Sequence, residues 1–370
     1  MNPNEKNYYF FIGTEAELIK LLPVLKEFEK RNIPYKIIAS GQNNIIQSNI
    51  LQLLKNKKIE IILFTGDIKQ TVSGLFFWFI KTLPKAIFQL KNEFRKEKRN
   101  DTFMIIHGDT VSTVMGALIA KWLGLQLAHI EAGLRSFNYF HPFPEELDRV
   151  IASQFGRIHF CPNQWAVDNL KKKNGVKINT FQNTLIESFH LVKELKTKSV
   201  LLDNLEKEKF FIFIMHRQEN LFNDKLVNLL INEITNNAKK MKCVFVIHKP
   251  TMLVLEKKQL LQGLRENKNI ILCERLDYIE FMQLLQKCEY LITDGGSNQE
   301  EAYYMGKPAL ILRSATERIE GLNGNVLLSR NDLQLIRTFL RNPNKYKRNP
   351  VAMKIKPSKI ITDYLLKEAF

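Results

Sequence analysis

The sequence is poor in cysteine, short of acids relative to bases, and without long apolar runs. Its four cysteines, Cys161, Cys243, Cys273 and Cys288, form no Cys-x-x-Cys pair. That spacing argues against a disulfide framework or a cysteine zinc site and suits a reducing compartment. The opening residues, MNPNEKNYYFFIG, lack the charged-then-apolar pattern of a secretion signal, so a cytoplasmic location is expected. The most apolar segment, TVSGLFFWFIKTLPKAIFQLKNEF, is unbroken only from Leu75 to Ile80. A membrane span needs about 20 such residues, so this segment reads as a buried or subunit-facing helix. No Gly-Lys-Ser/Thr phosphate loop, dinucleotide fingerprint, His-x-x-x-His or Asp-x-Asp spacing occurs, nor any short repeat. Neither a metal nor a bound cofactor is expected.

What is present is positive charge. Lysine and arginine number 55 against 38 aspartate and glutamate, a formal net charge of +17 over 370 residues. The excess concentrates at residues 91–99, 171–177 and 344–359. Such runs are commonly solvated faces, and they attract anionic ligands or, weakly, an anionic membrane surface. No nucleic-acid motif and no basic-aromatic interleaving accompanies them, so nucleic acid is not an expected partner.

Short apolar runs alternate with amphipathic stretches. The strands expected first are YYFFIG, YKIIAS, IEIILF, FMIIHG, LQLAHI and RIHFCP; FFIFIMH, CVFVIH, IILCE, YLITDG and PALILR follow. This alternation predicts an α/β protein with two Rossmann-like, doubly wound parallel sheets facing a cleft. The expected boundaries are residues 1–182 for a domain carrying acid and base groups and 183–357 for a nucleotide-binding domain. A final helix, 358–370, is expected to pack back on the first.

Ligands of open parallel sheets bind beyond the carboxyl ends of the strands. Polar or glycine-rich groups stand there in this chain: Gly13-Thr14, His107-Gly108-Asp109, His129-Ile130-Glu131, His216-Arg217, His248-Lys249 and Asp294-Gly295-Gly296-Ser297. The last cluster reads as strand, glycine loop and helix, which suits a phosphate at a helix N-terminus. His216 and Arg217 would balance a diphosphate, and Glu300 or Glu301 could accept from ribose hydroxyls. Asp109, Glu131 and Glu145 could instead cap helices: Asp109 precedes TVSTVMGALIA, and Glu145-Glu146 follow Pro144. Read together they suggest proton transfer, because crowded carboxylates raise at least one pKa toward the working pH.

The stretches HGDTVSTVMGALIAKWLGLQLAHIEAGLRS, PFPEELDR, HRQEN and TDGGSNQEEAYYMGKPALILRSATERIE resemble the non-hydrolysing UDP-N-acetylglucosamine 2-epimerases. That family shares a two-domain fold with the glycosyltransferase-B group, and the resemblance spans nearly the whole chain. It implies inversion of C2 of a UDP-linked N-acetylhexosamine by elimination and re-addition of UDP through 2-acetamidoglucal, without a redox cofactor. It implies catalytic roles for Asp109, Glu131, Glu145 and the diphosphate-contacting His216. It implies ribose binding by Glu301 and a first-domain lysine at Lys20. With the strand-end groups, the expected substrate-binding set is Gly13, Thr14, Lys20, Arg135, Arg217, His248, Gly295, Gly296, Ser297 and Glu301. The expected partners are a UDP-sugar and a second copy in a homodimer.

Four places depart from the family pattern. Gly13-Thr14-Glu15-Ala16-Glu17 stands for Gly-Thr-Arg-Pro-Glu, and Gly295-Gly296-Ser297 for Ser-Gly-Gly. Gln182 to Glu187 replaces Gly-Asn-Thr-x-x-Asp, and Gln42-Asn43-Asn44 replaces the Gln-His-Arg of an allosteric site. These departures keep alternatives open: a glycosyltransferase on the same architecture, a hydrolysing 2-epimerase, or a non-catalytic nucleotide-sugar-binding regulator.

Overall fold

A computed structural model describes residues 6–68, 71–139, 142–195 and 197–367. The chain divides into two compact units, one of residues up to Ser188 together with those from Met353 onward, the other Phe189–Ala352.

The first unit carries seven parallel strands: β1 (Asn7–Ile12), β2 (Lys36–Ala39), β3 (Ile61–Ile62), β4 (Thr102–His107), β5 (Gln126–Ile130), β6 (Ile158–Cys161) and β7 (Val176–Asn179). Their order is β3-β2-β1-β4-β5-β6-β7. Tyr8 to Ile12 are all buried, as parallel strands covered on both faces must be, which is why they read as one apolar run. Helix α1 (Glu15–Lys30) opens on a capping box of Thr14 and Glu17. Helix α2 (Val72–Glu93) buries Trp78, Thr82, Ala86 and Leu90, a stripe at four-residue spacing. Phe76, Phe77, Ile80 and Phe88 of the same helix are exposed. Helix α3 (Val111–Leu123) is capped by Thr110, so the cap role open to Asp109 belongs to its neighbour and the Asp109 carboxylate is available for other work. Helix α4 (Glu145–Ala152) follows Pro144 with Glu145, Glu146 and Asp148 in its first turn.

The C-terminal helix, Pro357–Lys367, lies against α1. Arg31 pairs with Asp363 at 2.5 Å, and Lys6 donates to the Leu365 carbonyl at 3.1 Å. The Glu187 carboxylate accepts from the amide and hydroxyl of Ser358, each at 2.7 Å.

The second unit carries six parallel strands: β8 (Phe210–Ile214), β9 (Lys242–Val246), β10 (Ile270–Cys273), β11 (Leu291–Thr293), β12 (Ala309–Ile311) and β13 (Val326–Leu328), in the order β10-β9-β8-β11-β12-β13. Both units are therefore α/β with doubly wound parallel sheets. Among the described residues no helix is long and apolar enough to cross a membrane.

Candidate active site

In each parallel sheet the strand order reverses once, between β1 and β4 in the first unit and between β8 and β11 in the second. The loops that part at such a switch point leave a crevice beyond the strand ends. Gly13, Thr14 and Asp109 stand at the first of these places, and His216, Arg217, Gly295, Gly296 and Ser297 at the second.

In the first unit the loop after β1 is held tightly. A side chain at Gly13 would put a Cβ 2.0 Å from the Ser112 hydroxyl, so only glycine lets α3 approach. The Glu17 carboxylate accepts from the Gly13 amide at 2.6 Å and the Thr14 amide at 3.0 Å. It also accepts from the Thr110 hydroxyl, which ties the β1 loop to the β4 loop that carries Asp109. Burial pushes the Glu17 carboxyl up to about 7 despite those hydrogen bonds. Glu15, which stands where the family has arginine, accepts from the Ser48 hydroxyl at 2.9 Å.

Glu131 follows β5 with a left-handed backbone (φ 63°), a conformation that glutamate rarely adopts and that packing must enforce. Its carboxylate is buried against Lys20, 2.6 Å away, and accepts from the Asn183 side-chain amide. Next to it, Gly133 (φ 85°) passes so close to Ala166 that a Cβ would lie 2.2 Å from its carbonyl oxygen. His129 donates from Nε2 to the Gly108 carbonyl at 2.8 Å, and burial lowers its pKa.

Asp109 pairs with the Arg149 guanidinium, which also reaches Glu146 at 3.3 Å. Glu146 is fully buried; it accepts from Arg135 at 2.6 Å and from the Ser136 and Phe137 amides. Arg135 thus serves Glu146 in the architecture of this unit. Glu145, one residue earlier, opens α4 and is half-buried. The structure brings Asp109 and Glu145 near one carboxyl, Asp148, whose pKa is pushed up to about 8, first by burial and then by the charges of Asp109 and Glu145.

In the second unit Asp294 is the organising residue. Fully buried at the end of β11, it accepts from the His216 and Arg217 amides at 3.0 and 2.9 Å and from the Asn220 side chain at 3.0 Å. The His216 ring approaches it at 2.9 Å. Burial alone would raise its carboxyl; the field and hydrogen bond of His216, with the Arg217 amide, outweigh that and hold it below the usual carboxylate range. His248 stacks on His216 with ring centres 4.8 Å apart. Burial, then the neighbouring His216, lowers His248 to about 4.

Gly295 caps the helix Gly296–Met305, whose free amides open beside Ser297. A Cβ at Gly295 would meet the Asn298 side chain at 2.4 Å. Both glutamates offered for a ribose are buried; Glu300 pairs with the Arg318 guanidinium at 2.7 Å, whereas Glu301 accepts from the Asn298 side chain at 2.9 Å. Behind the loop Arg313 pairs with Glu317 at 2.8 Å, both buried.

Residues 26–354 match the family model of UDP-N-acetylglucosamine 2-epimerase. The chain belongs to the UDP-N-acetylglucosamine 2-epimerase family. It is 30% identical over 355 residues to the UDP-N-acetylglucosamine 2-epimerase of Methanococcus maripaludis, covering 92% of this chain and 93% of that one. The crystal structure of the Neisseria meningitidis enzyme bound to UDP-GlcNAc matches with a TM-score of 0.81 at 28% identity, covering 98% of this chain and all of that one (100%). A transferase from Siraitia grosvenorii in complex with UDP shares the fold alone, with a TM-score of 0.61 at 10% identity. Family membership makes this protein an isomerase-type nucleotide-sugar epimerase with the glycosyltransferase-B-like fold.

The sequence did not single out Glu17, Asn183, Arg149 or Asp148 for a role. Glu17 and Asn183 act on the two loops by hydrogen bonds that only the fold brings together. Arg149 and Asp148 sit four and three residues after Glu145, a spacing that places helical neighbours one turn apart and was available as a signal.

Proposed function

We propose that this protein inverts C2 of UDP-N-acetylglucosamine, giving the manno epimer for surface-polysaccharide synthesis. The observation that carries the reading is the set of acids that follow β4 and β5 in the first unit, in a chain of this family. Asp109, Glu131 and Glu145 act on C2, one taking its proton and another returning one to the opposite face. The electrons of the C2–H bond form the C1–C2 double bond of 2-acetamidoglucal, and the C1–O bond breaks with its pair leaving on UDP. Re-addition reverses these steps. Lys20 holds Glu131 in place, and Arg149 does the same for Asp109.

The second unit holds the nucleotide. The free amides beside Gly295, Gly296 and Ser297, with His216 and Arg217, receive the diphosphate; Glu301 receives the ribose hydroxyls. His248, kept neutral, supports the His216 ring by stacking. Gly13 and Thr14 approach the sugar through their backbone. Cytoplasmic work as a homodimer completes the proposal, with the exposed face of α2 as the contact.

Asp109→Asn, Glu131→Gln and Glu145→Gln each test it. Turnover of UDP-N-acetylglucosamine should fall by about 100-fold or more, with UDP affinity nearly unchanged. Turnover that survives all three changes would remove the acid–base assignment. Release of free sugar, or transfer to an acceptor without free epimer, would point to hydrolysis or glycosyl transfer instead.

A further inference from the structure

Asp148 belongs to none of the roles above, yet it is the acid most enclosed by them. It lies three residues after Glu145, so the two carboxyls sit one turn apart on the same side of α4. The residue is 7% exposed, and its Oδ2 is buried with no hydrogen-bond partner. Two charges press on it, Asp109 from the loop after β4 and Glu145 from its own helix. The cation that faces it, Arg149, is already engaged by Asp109 and Glu146. A buried carboxylate with two anionic neighbours and a shared cation is costly; a neutral acid there is not.

We propose that Asp148 is a positioning residue that holds a proton beside Asp109 and Glu145 throughout the reaction. A protonated carboxyl offers an O–H donor where carboxylates offer none. It spares the site a further buried anion beside Asp109 and Glu145. Loss of the Asp148 proton adds that anion and marks the alkaline limit of turnover.

This inference rests on the 2-epimerase reading, and two readouts separate their failures. The first is the pH dependence of deuterium entry at C2 of UDP-N-acetylglucosamine in heavy water, for wild type and Asp148→Asn. Wild type should lose exchange as pH rises through about 8. The amide variant cannot ionise and should carry its exchange at least a tenfold change in proton activity further into alkali. The second is melting temperature from pH 4 to pH 9, which needs no activity. A carboxyl whose folded pKa is raised favours folding below its unfolded value, near 4, and loses that advantage as pH rises to the folded value. The amide variant should therefore gain on wild type steadily from about pH 4 to about pH 8 and then hold its lead. A melting difference that is flat with pH overturns the proposal, whatever the activity. So does an alkaline limit that is the same in both proteins or absent from wild type. No exchange by wild type at any pH counts against the epimerase reading, and the melting comparison still decides Asp148. The wild-type profile stands as a test even where the variant does not fold.

Discussion

At the scale of single residues, the buried pair of Lys20 and Glu131 shows how function and stability are joined. Both side chains are almost wholly out of water, and their separation is 2.6 Å. Such a pair contributes little by itself, but removing one partner strands the other charge. Lys20→Met should lower unfolding free energy by about 3–5 kcal/mol in urea titrations, because the Glu131 carboxylate is then buried without its cation. A loss below about 1 kcal/mol would mean that Glu131 does not depend on Lys20. The carboxylate's place was legible from its motif. Its left-handed backbone and its lysine partner, 111 residues away in sequence, were not. A contact of that separation exists only once β1 and β5 have taken their places in one sheet.

At the scale of elements, the strand-end loops decide what the site can be. Gly133 shows the constraint most sharply, with φ 85° and the Ala166 carbonyl 2.2 Å from any added Cβ. Gly133→Ala should cost more than about 1 kcal/mol by thermal melting and should lower turnover, since it shifts the chain two residues from Glu131. An unchanged melting temperature would show that the loop relaxes freely. The central strands were legible because burial on both faces makes them continuous apolar runs. The edge strands β7 and β13 were not expected. Val176–Asn179 is largely half-exposed and follows a lysine run, and Val326–Leu328 is three residues long. Neither carries the apolar signal that a covered strand must have. The alternative of a cap at Asp109 is not realised, because Asp109 and Thr110 are both good caps and only the backbone chooses Thr110.

At the scale of the molecule, two parallel sheets of seven and six strands with helices agree with the two-domain α/β class read from strand–helix alternation. The family followed from motifs that span both units. The exposed face of α2 has consequences beyond one chain. Phe77 is 62% and Phe88 70% exposed, and such large apolar groups in a cluster mark an interaction surface. Replacing both by glutamate should convert a dimer to a monomer in sedimentation analysis while leaving far-ultraviolet dichroism unchanged. A protein that is already monomeric before the change would refute a role for α2 in self-association, and capture by anionic vesicles would then assign that face to a membrane surface.

In the proposed reaction this chain moves the proton at C2 of a UDP-sugar. The most direct measurement is mass spectrometry of UDP-N-acetylglucosamine after incubation with the wild-type protein in heavy water. The prediction is one deuterium at C2 in both the recovered substrate and its epimer, since each is re-formed from the same glucal by protonation at C2, on one face or the other. Recovery of UDP-N-acetylglucosamine, and of other UDP-N-acetylhexosamines, with no deuterium at C2 would contradict it.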